Sequence, residues 1–463
     1  MTSSAEKVSR HTMFVSSPRI EQDSKGKARL CSDISCKGRW SGESIYTRKF
    51  WTELDAPAET KPVYFETDKD FADFLCHERS DAFLVGLLPW AMRTGQDIEC
   101  EAPVTEELLH NINNMLIPAI AKHDLKLHRI KVTAPTDSTP FGGKEVGTGL
   151  SLGVDSLYTV NQMINSEYEI SKLTHLMYTS SKGNLEEGKV PNHESFERRE
   201  EAQEVADALG VPLVFIDSNF RLQFPVSHRH AAPYTNLSAV FALRKLWRAY
   251  FFATTHEIAK FSVVNSSTVS ADHYLSLLTH SFTTPGLSFY PSDLHAARPE
   301  KVAVIAGCNI AQRYLRVCLL KPKNCNTSGK CSRTLLDLDM HGHLDKFRES
   351  FDVDYYLENK VWYLRRFYLY PNDLFLGPAR EHFLRTEPEL MKQAQELAEE
   401  ELKEKKKRKQ SERIKRQRQK IKDQEQEIAR LKQELAQSEP LIKKLTPKRI
   451  TRRLKRTLRW HTN

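Results

Sequence analysis

The sequence predicts an α/β fold: a doubly wound, mostly parallel sheet with a small N-terminal α+β cap before it and a C-terminal basic helical tail after it. Three observations carry this. Strand-like and helix-like runs alternate between about residue 136 and residue 253, the pattern of a parallel sheet with crossover helices. A glycine-rich segment, Gly147-Thr-Gly-Leu-Ser-Leu-Gly-Val-Asp-Ser156, stands between a strand-like approach and the helix-like Ser156–Ile164. The chain is 463 residues long and 40% hydrophobic, enough for one large or two modest packed domains with an appendage.

In chain order, residues 1–40 are polar, serine-rich and without periodicity, and read as a mostly disordered leader. Cys31 and Cys36 within it have no His or Cys pair nearby and read as ordinary thiols rather than half a metal site. Residues 41–135 form the cap, with a strand at Val63–Glu66, an apolar run Phe83–Met92 and a helix Thr105–Lys122 opened by Pro103-Val-Thr-Glu-Glu. Residues 136–310 form the nucleotide domain. After the glycine loop come a strand Leu173–Tyr178, a helix Glu194–Leu209 closed by Gly210, a strand Pro212–Ile216, and a helix Asn236–Trp247 running into the apolar Ala249–Ala253. Ala297–Ala306 reads as a short helix bearing Lys301. Residues 311–386 form a cysteine-containing subdomain, and residues 387–463 the tail.

The net charge of +9 is unevenly distributed. Residues 391–463 hold 24 Lys or Arg against 11 Asp or Glu, a net of +13, whereas the remaining 390 residues hold 45 basic and 49 acidic groups, a net of −4. The basic character belongs to the tail and to what the tail touches. Eight unevenly spaced cysteines do not make a secreted disulfide framework, and MTSSAEKVSR lacks the apolar run of a signal peptide. No segment approaches the roughly 20 apolar residues of a membrane span. The expected location is the cytoplasm, with peripheral membrane attachment through the tail as an option.

The glycine segment has the chemistry of an anion cradle. Backbone N–H groups at a helix start carry about half a positive charge, and glycine lets a phosphate approach them. Ser151 and Ser156 add hydroxyls, and Gly153 and Val154 add backbone. Asp155 beside a phosphate is repulsive unless a divalent cation such as Mg²⁺ bridges the two. The GxxxxGK[ST] pattern is absent, and a dinucleotide-binding reading fails because the next strand ends in Thr179-Ser180-Ser181 with no carboxylate for a ribose. Strand ends in such a sheet place Ser151, Thr179, Asp217 and Asn219 around one crevice; Asp217 and Asn219 equally suit a turn after a strand.

The six residues Ser151-Leu-Gly-Val-Asp-Ser156 resemble the SGGxDS loop of the PP-loop ATP pyrophosphatases, a family that includes asparagine synthetase, GMP synthetase and cyano-deazaguanine synthase. Leu152 replaces a glycine, where a branched side chain crowds the pyrophosphate or requires a backbone angle natural to glycine. The resemblance spans about Lys61–Asp354 and implies a HUP-type nucleotide domain that binds ATP with Mg²⁺. It implies attack by a carboxylate or amide oxygen on the α-phosphate, release of pyrophosphate and an adenylate intermediate. Ser151, Gly153, Val154, Asp155, Ser156 and Thr179 would hold the nucleotide, and Asp155 and Lys301 would be catalytic, Lys301 by neutralising phosphate charge. The alternative is a catalytically degenerate nucleotide-binding scaffold whose tail binds a membrane surface, RNA or a partner protein.

Downstream, Cys318, Cys325 and Cys331 form a spaced thiol cluster, for which metal binding is the alternative to disulfides in a reducing compartment. The resemblance implies a four-cysteine zinc site of the form C…CxxCxxC followed by an arginine. Ser328 stands where the third cysteine would fall, and Arg333 follows. Three thiolates with water, three with a histidine such as His341 or His343, and no metal all remain open, with a packed hairpin leading into a helix Thr334–Asp339. His228 and His230 read as loop histidines.

In the tail, Ile414, Ile421, Ile428, Leu435 and Ile442 fall seven apart, but their companions are Gln417, Gln424, Leu431, Ser438 and Leu445. Half of this seam is polar, which predicts a weak parallel homo-oligomer or a single exposed helix, interrupted at Pro440. Beyond Pro447, Ile450, Leu454 and Leu458 share one face among Lys and Arg, and Trp460 suits a lipid interface. Such an end suits an anionic membrane or RNA.

Overall fold

The computed structural model describes residues 11–22, 27–36, 39–40, 52–53, 58–124, 126–180, 198–224, 226–264, 269–373 and 375–445. Its strands are β1 (Thr12–Val15), β2 (Arg19–Gln22), β3 (Ala28–Cys36), β4 (Arg39–Trp40), β5 (Thr52–Glu53), β6 (Glu59–Thr67), β7 (Asp97–Cys100), β8 (Val132–Thr133), β9 (Glu145–Gly149), β10 (His175–Thr179), β11 (Leu213–Ser218), β12 (Trp247–Phe252) and β13 (Ser288–Pro291). β4 and β5 pair with each other, and the other eleven form one mixed, mostly parallel sheet in the order β13-β12-β9-β10-β11-β6-β3-β1-β7-β8, with β2 on β3.

The glycine loop belongs to the parallel half of this sheet. β13, β12, β9, β10 and β11 pair in parallel throughout. Counted from β9, their order is 3-2-1-4-5, in which the chain reverses direction across the sheet at β9. The chain moves outward from β9 through β10 to β11, then crosses back to β12 on the other side of β9. Ligands in such sheets sit beyond the C-terminal strand ends at that reversal point. The strands read as a buried parallel sheet requires: every residue of Leu-Val-Phe-Ile-Asp-Ser in β11 is buried.

The N-terminal half corrects two expectations. Residues 12–36, expected to be a leader without regular structure, supply β1–β3, with Met13, Leu30 and Ile34 fully buried. The expected separate cap is instead a continuation of the same sheet, joined where β6 pairs antiparallel with β11. β1 is only four residues long, with Met13 and Val15 buried and Phe14 exposed, too short for a period-2 pattern to stand out. The run Phe83–Met92 lies in a helix, Asp81–Thr94, and the expected helix Thr105–Lys122 is present over Glu106–His123 with one wider turn at Ile112–Leu116.

Gly210 ends the helix Arg199–Leu209 in the left-handed conformation (φ 67°), while residues 194–197 of the expected helix lie outside the described residues. The helix expected at Asn236–Trp247 ends at Ala242, and Trp247–Phe252 is β12. Buried between β9 and β13, β12 needs apolar residues on both faces, so its run carries no period-2 signature.

The chain divides into two compact units. Leu364–Asn372 and the residues from Glu387 onward make one, and the rest makes the other. In the smaller unit the helix Pro388–Leu445 extends 58 residues and continues through Pro440, against expectation. Arg365 pairs with Glu401 at 2.9 Å, and Ile414, Ile421, Ile428 and Leu431 are exposed. The basic face expected at Ile450, Leu454, Leu458 and Trp460 lies outside the described residues. Among the described residues no helix is long and apolar enough to cross a membrane.

Candidate functional site

β9 delivers the chain to the reversal point, and its first loop glycine serves packing. A Cβ on Gly147 would stand 2.5 Å from the Trp247 ring on neighbouring β12, so the side-chain-free position is required by the core. After Gly149, the Leu150 N–H donates to the Met177 carbonyl at 2.8 Å and the Leu152 carbonyl accepts the Arg316 N–H at 2.8 Å. Leu152 has φ 60°, the left-handed region that glycine occupies without strain, and its side chain is fully buried. Of the two consequences read from this leucine, the unusual backbone angle is present. Its side chain leaves no surface facing solvent.

Gly153 and the buried Val154 open the helix Val154–Ile164. Ser156 Oγ donates to the Gly153 carbonyl at 3.1 Å and accepts from the Ser151 hydroxyl at 3.1 Å and the Ser151 N–H at 3.3 Å. The two serines therefore brace the loop. The helix itself supplies no carbonyl partner for the N–H groups of its first turn.

Asp155, one residue into that helix, meets two cations from the helix Arg298–Ile305. Its carboxylate lies 3.5 Å from Arg298 Nη1 and 3.8 Å from Lys301 Nζ, the two candidate catalytic residues Asp155 and Lys301 thus being neighbours. Lys301 is fully buried and donates to the Thr254 carbonyl at 2.6 Å and to Thr254 Oγ1 at 3.2 Å. Asp293 is 3.9 Å from the same ammonium and accepts from Thr159 Oγ1 at 2.6 Å and Ser292 Oγ at 2.8 Å. Burial lowers the Lys301 pKa against the opposing pull of Asp155 and Asp293. Burial likewise raises that of Asp293 against its Thr159 hydrogen bond. Asp155 follows β9, Thr254 follows β12 and Asp293 follows β13, so the cluster sits beyond the C-terminal strand ends at the reversal point.

Some buried polar atoms of the cluster and of other described residues lack a hydrogen-bond partner. Asp155 Oδ1, Arg298 Nε, His273 Nε2 and both carboxylate oxygens of Asp337 are buried without a hydrogen-bond partner. Arg298 reaches Thr334 at 3.3 Å on the helix that carries Asp337. Burial pushes Asp337 up to about 7 despite the opposing charges of Arg298 and Arg333. Asp155 Oδ1 has no partner within hydrogen-bond distance, the Lys301 ammonium standing 3.8 Å from it.

Thr179 ends β10, adjacent to β9. Asp217 and Asn219 do not join the crevice. Asp217 is inside β11, opposite Glu66 of β6, and Asn219 fastens β6 by accepting from the Tyr64 N–H at 2.9 Å and donating to the Pro62 carbonyl at 3.0 Å.

The sulfurs of Cys318, Cys325 and Cys331 all lie within 4.8 Å of one another. Zinc held by three thiolates needs Zn–S distances of about 2.3 Å, which three such sulfurs reach by a small closure. Ser328 does not act as the missing ligand: it caps the helix Gly329–Met340, its Oγ accepting the Cys331 N–H at 3.3 Å. His341 lies at the far end of that helix, about 15 Å along its axis from Cys331, and His343 follows it; neither belongs to the cluster. Burial would raise Cys325, but the Ser328 N–H at 3.3 Å and neighbouring donors outweigh it and hold the thiol at about 6. Cys331 is pushed up to about 12 by burial. Cys31 and Cys36, five apart on β3, point to opposite faces of the sheet. His228 and His230 open the helix His228–Ala242, not a loop.

Compared with known proteins, the chain matches no family model, no curated protein and no solved structure. Asp293, Thr254 and Arg298 were not legible as site residues. Arg298 and Lys301 at i and i+3 on one helix face were a usable signal, whereas Thr254 and Asp293 follow strands that the pattern of residues did not reveal.

Proposed function

We propose that this protein binds ATP with Mg²⁺ at the loop Ser151–Ser156 and activates a carboxylate or amide substrate as an adenylate, releasing pyrophosphate. The observation that carries the reading is the meeting of Asp155, Arg298 and buried Lys301 beyond the strand ends at the reversal point of a 3-2-1-4-5 parallel sheet. The SGGxDS-like sequence of the loop and the HUP-type domain it implies support the same chemistry. The first-turn N–H groups would receive phosphate oxygens, and Thr179 would border the nucleoside. Arg298 and Lys301 would stabilise charge as the bond between the α-phosphorus and the bridging oxygen breaks. Asp155 would hold Mg²⁺, which neutralises phosphate charge when bound. Three thiolates of the cysteine cluster would hold zinc in a structural role.

A nucleotide-binding scaffold without turnover is the second reading, favoured by Leu152 in a glycine conformation. In either case the basic tail would bring the protein to an anionic membrane surface, RNA or a partner. Titration calorimetry with ATP and Mg²⁺ tests the site: binding by the parent chain should be lost in Asp155→Ala. No binding by the parent, or unchanged binding by the variant, refutes it. A pyrophosphate-release screen over carboxylates and amides separates enzyme from scaffold.

A further inference from the structure

The long C-terminal helix carries an unpartnered stripe that fits a second copy of this chain. Ile414 is 43% exposed, Ile421 55%, Ile428 52% and Leu431 52%, side chains that a lone helix leaves in water. With Ile414, Ile421 and Ile428 at heptad position a, Gln417, Gln424 and Leu431 occupy d. We propose that this helix pairs with the same helix of a second copy as a parallel, in-register, two-stranded coiled coil over about residues 411–434.

Three features select this partner and orientation. In a parallel pair each isoleucine layer meets its own equivalent and each glutamine layer its own equivalent. An antiparallel pair instead sets a layers against d layers and buries Ile421 or Ile428 against glutamine. Of the three flanking g–e pairs in this span two are complementary, and one, Arg413 opposite Arg418 at its N-terminal edge, is repulsive. A g residue faces the e residue of the next heptad on the other helix, which sets Lys420 opposite Glu425 and Glu427 opposite Lys432, each twice by symmetry. Glu427 is engaged on its own helix only by an exposed 3.8 Å pair with Arg430, which exchanges readily. Upstream, Lys403, Lys405, Lys406, Lys407, Arg408 and Lys409 have no complementary run in an in-register copy, so like-charge repulsion stops the pairing before residue 411. The pairing therefore gathers two basic stretches next to each other at the start of the coiled coil.

Sedimentation equilibrium of the full-length chain is the test, because it does not depend on nucleotide. The expected result is a reversible shift from 53.4 kDa toward twice that mass with concentration. Ile421→Lys combined with Ile428→Lys should abolish the shift without moving the thermal transition of the globular unit, and Gln417→Leu with Gln424→Leu should tighten association about tenfold or more. Lys420→Glu sets carboxylates opposite one another and should weaken the dimer, and adding Glu425→Lys should restore it. A chain monomeric up to about 100 μM, where even weak specific association shows, overturns the proposal. So does association untouched by the isoleucine changes. A dimer that the paired charge reversal fails to rescue overturns the parallel register.

Discussion

The glycine loop and the cysteine segment each differ by one residue from the pattern expected of them, and the chain treats the two positions in opposite ways. Leu152, where a glycine was expected, takes the left-handed backbone angle that glycine adopts without strain, and buries its side chain. Ser328, in place of a cysteine, takes a different task as the cap of the following helix. A backbone conformation enforced by neighbours on both sides resists a change of side chain. A ligand position has no such constraint, and its oxygen is free to satisfy the nearest N–H group.

The comparison breaks most sharply at Lys301. Lys301→Met leaves Asp155 and Asp293 near each other with their shared cation gone, and should destabilise the globular unit by about 3–5 kcal/mol, as removal of one partner of a buried ion pair does. Chemical denaturation measures it. A loss below about 1 kcal/mol would mean that Arg298 alone balances both carboxylates and that the loop is not held by this cluster.

Asp337, on the helix that Ser328 caps, links the two regions and should show itself through pH. Its pKa is raised from 3.8 to about 7. Its contribution is thus full below the unfolded value, falls as pH rises from about 4 to about 7, and leaves a buried carboxylate above that. Asp337→Asn should therefore gain stability relative to the parent between pH 4 and pH 8, by up to about 4 kcal/mol at 1.36 kcal/mol per unit. Melting curves of both proteins across that range decide it, and a constant difference would show that Arg298 and Arg333 keep the carboxylate charged throughout.

For Leu152→Gly two effects oppose. Relief of the left-handed backbone returns about 1–2 kcal/mol, but loss of a fully buried leucine costs about 2–5 kcal/mol. The expected outcome is a net loss of about 2 kcal/mol with ATP affinity little changed, because the side chain faces the interior. A several-fold tighter ATP complex would show that the leucine does crowd the phosphates.

The smallest effect is expected at Ser328. Ser328→Ala should cost about 1 kcal/mol through the lost cap and leave metal content unaltered. Ser328→Cys should lose the same cap yet raise the zinc bound after metal loading, measured by elemental analysis. One zinc per chain in the parent, not raised by Ser328→Cys, would identify a complete site already present, with a ligand other than Ser328, His341 or His343.

The sequence by itself determined the alternation of strand and helix from β9 to β11, the loop opening the helix at Val154, and the candidacy of Asp155, Lys301 and the three cysteines. These rest on local signals: apolar periodicity, glycine and serine beside a helix start, and residue type. Tertiary structure alone decided that Thr12–Val15, Arg19–Gln22 and Ala28–Cys36 belong to the sheet, that Trp247–Phe252 is a strand, and that Thr254, Asp293 and Arg298 surround Lys301. Pairing between β6 and β11, or between β9 and β12, joins segments about 100 residues or more apart. No periodicity within either segment encodes its neighbour. The same holds for Lys301, whose burial and counter-charges come from three separate strand ends brought together only when the sheet closes in its 3-2-1-4-5 order.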